Sequence, residues 1–268
     1  MEKTEFQVSN KLKFVFLIAG LVLFVTGSFI SIDWLNYLKG GSSLYPAYAK
    51  PAVSILCAMI VFLSFRSGLG KKDFWLLAVT FICIIIVDIM MSIYVYSSNK
   101  ALGASVFMVG AALSIVAHFL LIIRHAKGFK FLRRDRQNGK SGLLSHIGFP
   151  LAFYLPVIII FLILIPFLRK VGQFWPSLFY AIILTTSVWV AWEAFRHHLF
   201  PRANAWLIAL GVTLWFICEL VGVVHNIEIG LLSNIAMNLT WHFYMPAILL
   251  LALSGHRFGD SVGGKPKK

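Results

Sequence analysis

Three acids and two histidines interrupt stretches that are otherwise apolar: Asp88 in IIIVDIMMS, Glu193 in WVAWEAF, Glu219 in LWFICELVGVV, His118 in SIVAHFLL and His242 in NLTWHFYMP. An ionisable side chain in hydrocarbon costs several kcal/mol, so each marks a functional site or has a partner that satisfies it. A carboxyl group held away from water suits general acid–base chemistry near neutral pH, one group giving a proton while a second stays anionic. Asp88 and Glu219 are the candidate pair. Lys50 and the residues Asn234, Asn238 and His242, spaced by four, could supply partners from one helix face each. The structural alternative is that Asp88 with Lys50, and Glu219 with His242, merely join helices.

Depth depends on the elements that carry these groups. The chain has 268 residues, 59% of them hydrophobic and only 13% charged, with a mean hydropathy of +0.85. These values exclude an ordinary soluble domain and indicate an all-α, polytopic membrane helix bundle. Eight segments are long enough to cross the bilayer: 14–31, 47–65, 74–95, 102–123, 147–168, 175–195, 206–224 and 232–254. The first follows lysines but no cleavage signature comes after it, so it reads as a signal anchor. The organisation expected is an N-terminal tail (1–13), an eight-helix transmembrane domain (14–254) and a basic C-terminal tail (255–268). If the third and seventh segments run in the same direction, Asp88 and Glu219 lie at matching depth, about 20 Å in at 1.5 Å per residue. His118 and Glu193 then lie nearer the cytoplasm.

Of the 24 Lys and Arg residues, nineteen fall on one side of this arrangement. The positive-inside rule therefore places both termini in the cytoplasm, as in a bacterial inner-membrane protein. The loop 127–140 interleaves cations with Phe129, Phe131 and Leu132; it reads as a topology signal or as a contact for anionic lipid headgroups. The net charge of +14 lies between apolar runs rather than on one soluble face, so no nucleic-acid partner is expected. Cys57, Cys83 and Cys218 have no metal-ligand spacing, and the histidines show no HxxxH pattern, so neither a metal nor another cofactor is expected. In each half an acid precedes a His-Phe pair one helix later: Asp88 then His118, Glu219 then His242. That leaves two readings, coincidence or a pair of parallel four-helix repeats.

Lys50-Pro51, Asp88, Phe107 and Gly110 leading to Ala117-His118, Trp192-Glu193, LGVTLWFICE and His242-Phe243 follow one another in an order that resembles the YhhN family of lysoplasmalogenase-like membrane proteins. The similarity spans about 47–254. Where the family has Gly-Asp this chain has Val87-Asp88, where it has Ser-Asp the chain has Cys218-Glu219, and Leu121 stands where a tyrosine is frequent. The resemblance implies an eight-helix protein that hydrolyses the vinyl-ether bond of a lysophospholipid, releasing a fatty aldehyde and a glycerophospho-headgroup. Asp88, Glu219 and His242 are then the expected catalytic groups, and Lys50, Asn238, His118 and Glu193 the expected substrate-binding groups. The competing readings are a transporter or lipid-binding protein that uses its intramembrane acids, and a metal-dependent membrane amidase or lipase.

Overall fold

The computed structural model describes residues 2–39, 45–96, 100–127, 143–170, 172, 174–226 and 230–258. Most of the basic loop 127–140 and the tail from 259 onward lie outside the described residues, as do the side chains of Asn234 and His225. Eight α-helices follow in order: α1 (Glu2–Leu38), α2 (Tyr45–Leu63), α3 (Lys71–Tyr96), α4 (Lys100–Ala126), α5 (Leu143–Lys170), α6 (Phe174–Arg196), α7 (Arg202–Asn226) and α8 (Gly230–Leu253). A 3-10 turn, Ser64–Arg66, closes α2. Each expected apolar segment coincides with one helix, apart from its last residue or two in the second and eighth segments. The reason is general: where no water can serve the backbone, a helix satisfies every N–H and C=O within one segment.

Six helices are long and apolar enough to span a membrane, namely α1, α3, α4, α5, α6 and α7; α2 and α8 contribute shorter apolar stretches, Tyr48–Leu63 and Asn238–Leu253. Phe24, Leu17 and Ile163 are exposed on the outside of the bundle, where only lipid makes such exposure favourable.

The packing forms a ring. In the order α1, α2, α3, α4, α6, α7, α8 and back to α1 each helix touches the next, and α2 also touches α8. Helix α5 packs on α6 outside this ring, with only 11% of its span buried against 33% or more in the other five spans. It also carries Pro150, Pro156 and Pro166 within the helix. Ser114 meets Tyr180, and further along Ile122 and Ala126 cluster with Val190, so α4 and α6 run parallel. Two chain-adjacent helices cannot do that across a membrane with a short loop, so α5 is the return stroke between them.

Glycine permits a close contact between α7 and α8. A Cβ on Gly211 of α7 would stand 3.0 Å from Leu251 Cγ and 3.1 Å from the Ala247 carbonyl oxygen of α8. Gly211→Leu is expected to lower stability by about 1–3 kcal/mol through overpacking of this seam. Thermal unfolding of the detergent-solubilised protein checks this; an unchanged midpoint would show that the seam can open at no cost.

Candidate functional site

Asp88 lies inside the ring, 1% exposed. Its carboxylate receives hydrogen bonds from the Ser54 hydroxyl of α2 and the Tyr244 hydroxyl of α8, the latter 2.7 Å from both Oδ1 and Oδ2. Lys50 Nζ, one helical turn before Ser54, stands 3.9 Å from Oδ1. The same ammonium lies 4.3 Å from the Trp241 ring centre and 4.9 Å from that of Tyr244. The aromatic faces thus take over part of the hydration that Lys50 gives up. Spacing explains the geometry: Lys50 and Ser54 are one turn apart on α2, and Trp241 and Tyr244 one turn apart on α8.

Glu219 approaches from α7. Trp215, one turn earlier, donates its indole N–H to Glu219 Oε1 at 3.0 Å. The Tyr180 hydroxyl of α6 bonds to the same carboxyl group and is 2.9 Å from Ser114 Oγ of α4. Lys50 and Asp88 both interact electrostatically with Glu219. The Trp215 ring centre is 6.3 Å from that of Tyr244, so the two carboxyls are linked through neighbouring aromatic donors of α7 and α8. His118 approaches from α4, its ring centre 4.2 Å from that of Trp215 and 6.2 Å from that of Tyr180. His118 is fully buried, and neither ring nitrogen has a hydrogen-bond partner among the described residues.

His242 lies elsewhere. Trp34 of α1 donates its indole N–H to Nε2 at 3.3 Å, and Nδ1 is 3.1 Å from the Asn238 carbonyl oxygen, so both ring nitrogens are occupied. A helix turns about 100° per residue, which puts His242 and Tyr244 on nearly opposite sides of α8. The residue of α8 that bonds the Asp88 carboxylate is Tyr244. His242 instead lines an α1–α8 cavity of about 200 Å³ with Thr26, Ile30, Met245 and Leu249. Asn238 remains close by: its Nδ2 and the Trp241 Nε1 are buried and without partners among the described residues.

Glu193 is also removed from the centre. It lies thirteen residues beyond Tyr180 on α6, about 20 Å along the axis. There it pairs with Arg196 Nε at 3.4 Å and His197 Nε2 at 3.1 Å, and accepts from the Trp189 indole at 3.2 Å. Among the described residues no three His, Cys, Asp or Glu side chains come together in a metal-binding group.

A second polar cluster closes the opposite end of the ring interior. Arg124 of α4 is buried and forks onto Asp73 of α3, with Nε 3.1 Å from Oδ1 and Nη2 3.0 Å from Oδ2. Its remaining donors reach Ser254 Oγ at 2.9 Å and the Ser254 carbonyl at 3.1 Å. Asn204 Nδ2 donates to the carbonyls of Ser254 and His256 at 2.9 and 2.6 Å. His256 Nδ1 is 3.2 Å from Ser67 Oγ, and the Arg257 amide donates to the Ser67 carbonyl at 3.1 Å. Arg124 had read as one more topology cation, because nothing in its spacing reveals that it turns inward.

A helical bundle with six apolar spans and the carboxyls of Asp88 and Glu219 between its helices is a multi-pass membrane protein with ionisable groups in its interior. Compared with family models, curated proteins and solved structures, the chain finds no match.

Removing one member of a buried ion pair strands its partner, so Arg124→Met is expected to cost about 3–5 kcal/mol, with the Arg124→Met/Asp73→Leu double variant recovering part of it. Thermal unfolding of the single and double variants checks the coupling. Burial holds the His256 imidazole below its ordinary pKa of 6.5, so the unfolded chain binds a proton more readily than the folded one. Stability is therefore expected to fall as pH drops below 6.5 toward the depressed value, and His256→Gln to flatten that slope in unfolding measured across pH.

Proposed function

We propose that the protein is an integral membrane hydrolase of lyso-ether lipids, cleaving a vinyl-ether bond to a fatty aldehyde and a glycerophospho-headgroup. The observation that carries this reading is the pair of carboxyls, Asp88 and Glu219, interacting inside the ring and held by hydroxyl and indole donors from four helices. Protonated Glu219 gives its proton to the β-carbon of the vinyl ether, leaving an oxocarbenium ion. Asp88, whose oxygens already accept from Ser54 and Tyr244, is the fixed anion that stabilises this cation. Water then adds to the cationic carbon and returns a proton to Glu219. The resulting hemiacetal collapses to aldehyde and alcohol, with no cofactor needed for the proton balance.

Lys50 of α2 and two donors of α8 suit the headgroup. Lys50, Asn238 Nδ2 and Trp241 Nε1 are all donors, and the last two have no acceptor among the described residues. Donors of this kind match the oxygens of a phosphodiester. The likeness to the YhhN family noted in the sequence leads to the same chemistry. In this reading α2 and α8 complete eight crossings with both termini cytoplasmic. His242 then braces α1 against α8, and Glu193 belongs to the end of α6.

Asp88→Asn and Glu219→Gln are each expected to lower aldehyde release from purified lysoplasmalogen by about 100-fold or more, the usual range for loss of a general acid or its partner. Mass spectrometry of the products checks this, with thermal unfolding to show that the variants are folded. Wild-type turnover in either variant would remove the mechanism, and release of fatty acid from lyso-ester lipids in place of aldehyde would remove the substrate assignment.

A further inference from the structure

Four buried polar atoms with no partner among the described residues lie on α4 and α6: both ring nitrogens of His118, Nδ1 of His125 and Oγ of Ser187. Their positions fall on one line. His118 and His125 are seven residues apart, two turns along the same face of α4 and about 10 Å on its axis. Ser187 is likewise two turns beyond Tyr180 on α6, between Ile183 and Val190, which pack with Ile122 and Ala126 of α4. Since Tyr180 is level with Ser114 and Val190 with Ile122 and Ala126, Ser187 falls between His118 and His125. The line begins at the Trp215 ring beside Glu219 and ends where Arg124 Nη1 comes within 3.4 Å of His125 Nε2.

We infer that a file of water molecules occupies the α4–α6 seam between Glu219 and the Arg124 cluster. The chemistry of the unsatisfied atoms selects water. A neutral imidazole offers one donor and one acceptor, and a serine hydroxyl offers both, whereas an anion site would present donors alone. Leaving such atoms bare costs about 1–3 kcal/mol each, so native structures satisfy them with ordered water. A lipid chain in the same seam would leave all four unsatisfied. The use of this file is tied to the hydrolase reading: vinyl-ether cleavage consumes one water per turnover at a centre surrounded by hydrocarbon. His118, in contact with Trp215, is then the residue that delivers water toward Glu219. The file itself stands without that reading.

X-ray hydroxyl-radical labelling of the full-length protein in detergent and oxygen-18 water tests the inference directly. Trp215, 3% exposed, is expected to take up oxygen-18 at a rate comparable with the exposed Trp75 and Trp175. In Ser187→Leu and His118→Phe, which fill the seam with apolar atoms, Trp215 labelling is expected to be lost while Trp75 and Trp175 keep theirs. Ser187→Val adds less volume and carries the same expectation if the larger replacement fails to fold. Wild-type Trp215 as inert as the buried Phe81 would overturn the inference. Undiminished labelling in folded variants would overturn it too, because the water would then arrive by another path. Seam-dependent labelling in a protein that releases no aldehyde would uphold the file and remove the hydrolase.

Discussion

A carboxylate in hydrocarbon must be surrounded by donors, and Asp88 is the point at which the bundle meets that demand. Its partners come from α2 and α8, so a residue of α3 draws together two helices far apart in the chain. Those are the two helices with the shorter apolar stretches. Their place in the ring depends on polar contacts at Asp88 as well as on Gly211, where α7 lies close enough to α8 for a methyl group to meet its backbone. The Trp241 and Tyr244 rings lie against the Lys50 ammonium where it approaches the Asp88 carboxylate. Removing the charge at Asp88 would therefore disturb the association of helices as well as any chemistry.

The helices were legible because a membrane span is a one-dimensional signal: a run of apolar residues of fixed minimum length. The expectation that Asp88 and Glu219 share a depth came from a related signal, since depth is residue number multiplied by rise. Rotation about each helix axis was not. His242 and Tyr244 are two residues apart at almost the same depth, and only packing against α1 on one side and α3 on the other separates their roles. Tyr180, Ser54 and Trp215 were missed as carboxylate partners because hydroxyls and indoles are ordinary in apolar helices. The one-turn spacings Lys50–Ser54 and Trp215–Glu219 were the available signals.

Arg124 illustrates a second limit. Counting cations correctly assigns it to an end of a helix, yet its buried fork onto Asp73 depends on Ser254 and Asn204 arriving from the far end of the chain. A charge near a helix end is read as facing water until the tertiary structure encloses it. The two polar centres of this protein thus differ in how they are specified, one by depth and the other by long-range closure.

The parallel alignment of α4 and α6 makes α5 something other than a wall of the site. Its outward face, its three prolines and its sparse contacts leave its sequence nearly free to drift, provided that it keeps its length and hydrophobicity. What cannot drift is the count. Without one helix between α4 and α6, α6 through α8 would run inverted relative to α1 through α4, and Tyr180, Glu219 and Tyr244 would arrive at the wrong level and facing the wrong direction. Helix α5 is a parity element: it contributes no group to the centre, yet it sets the orientation of every group that follows it.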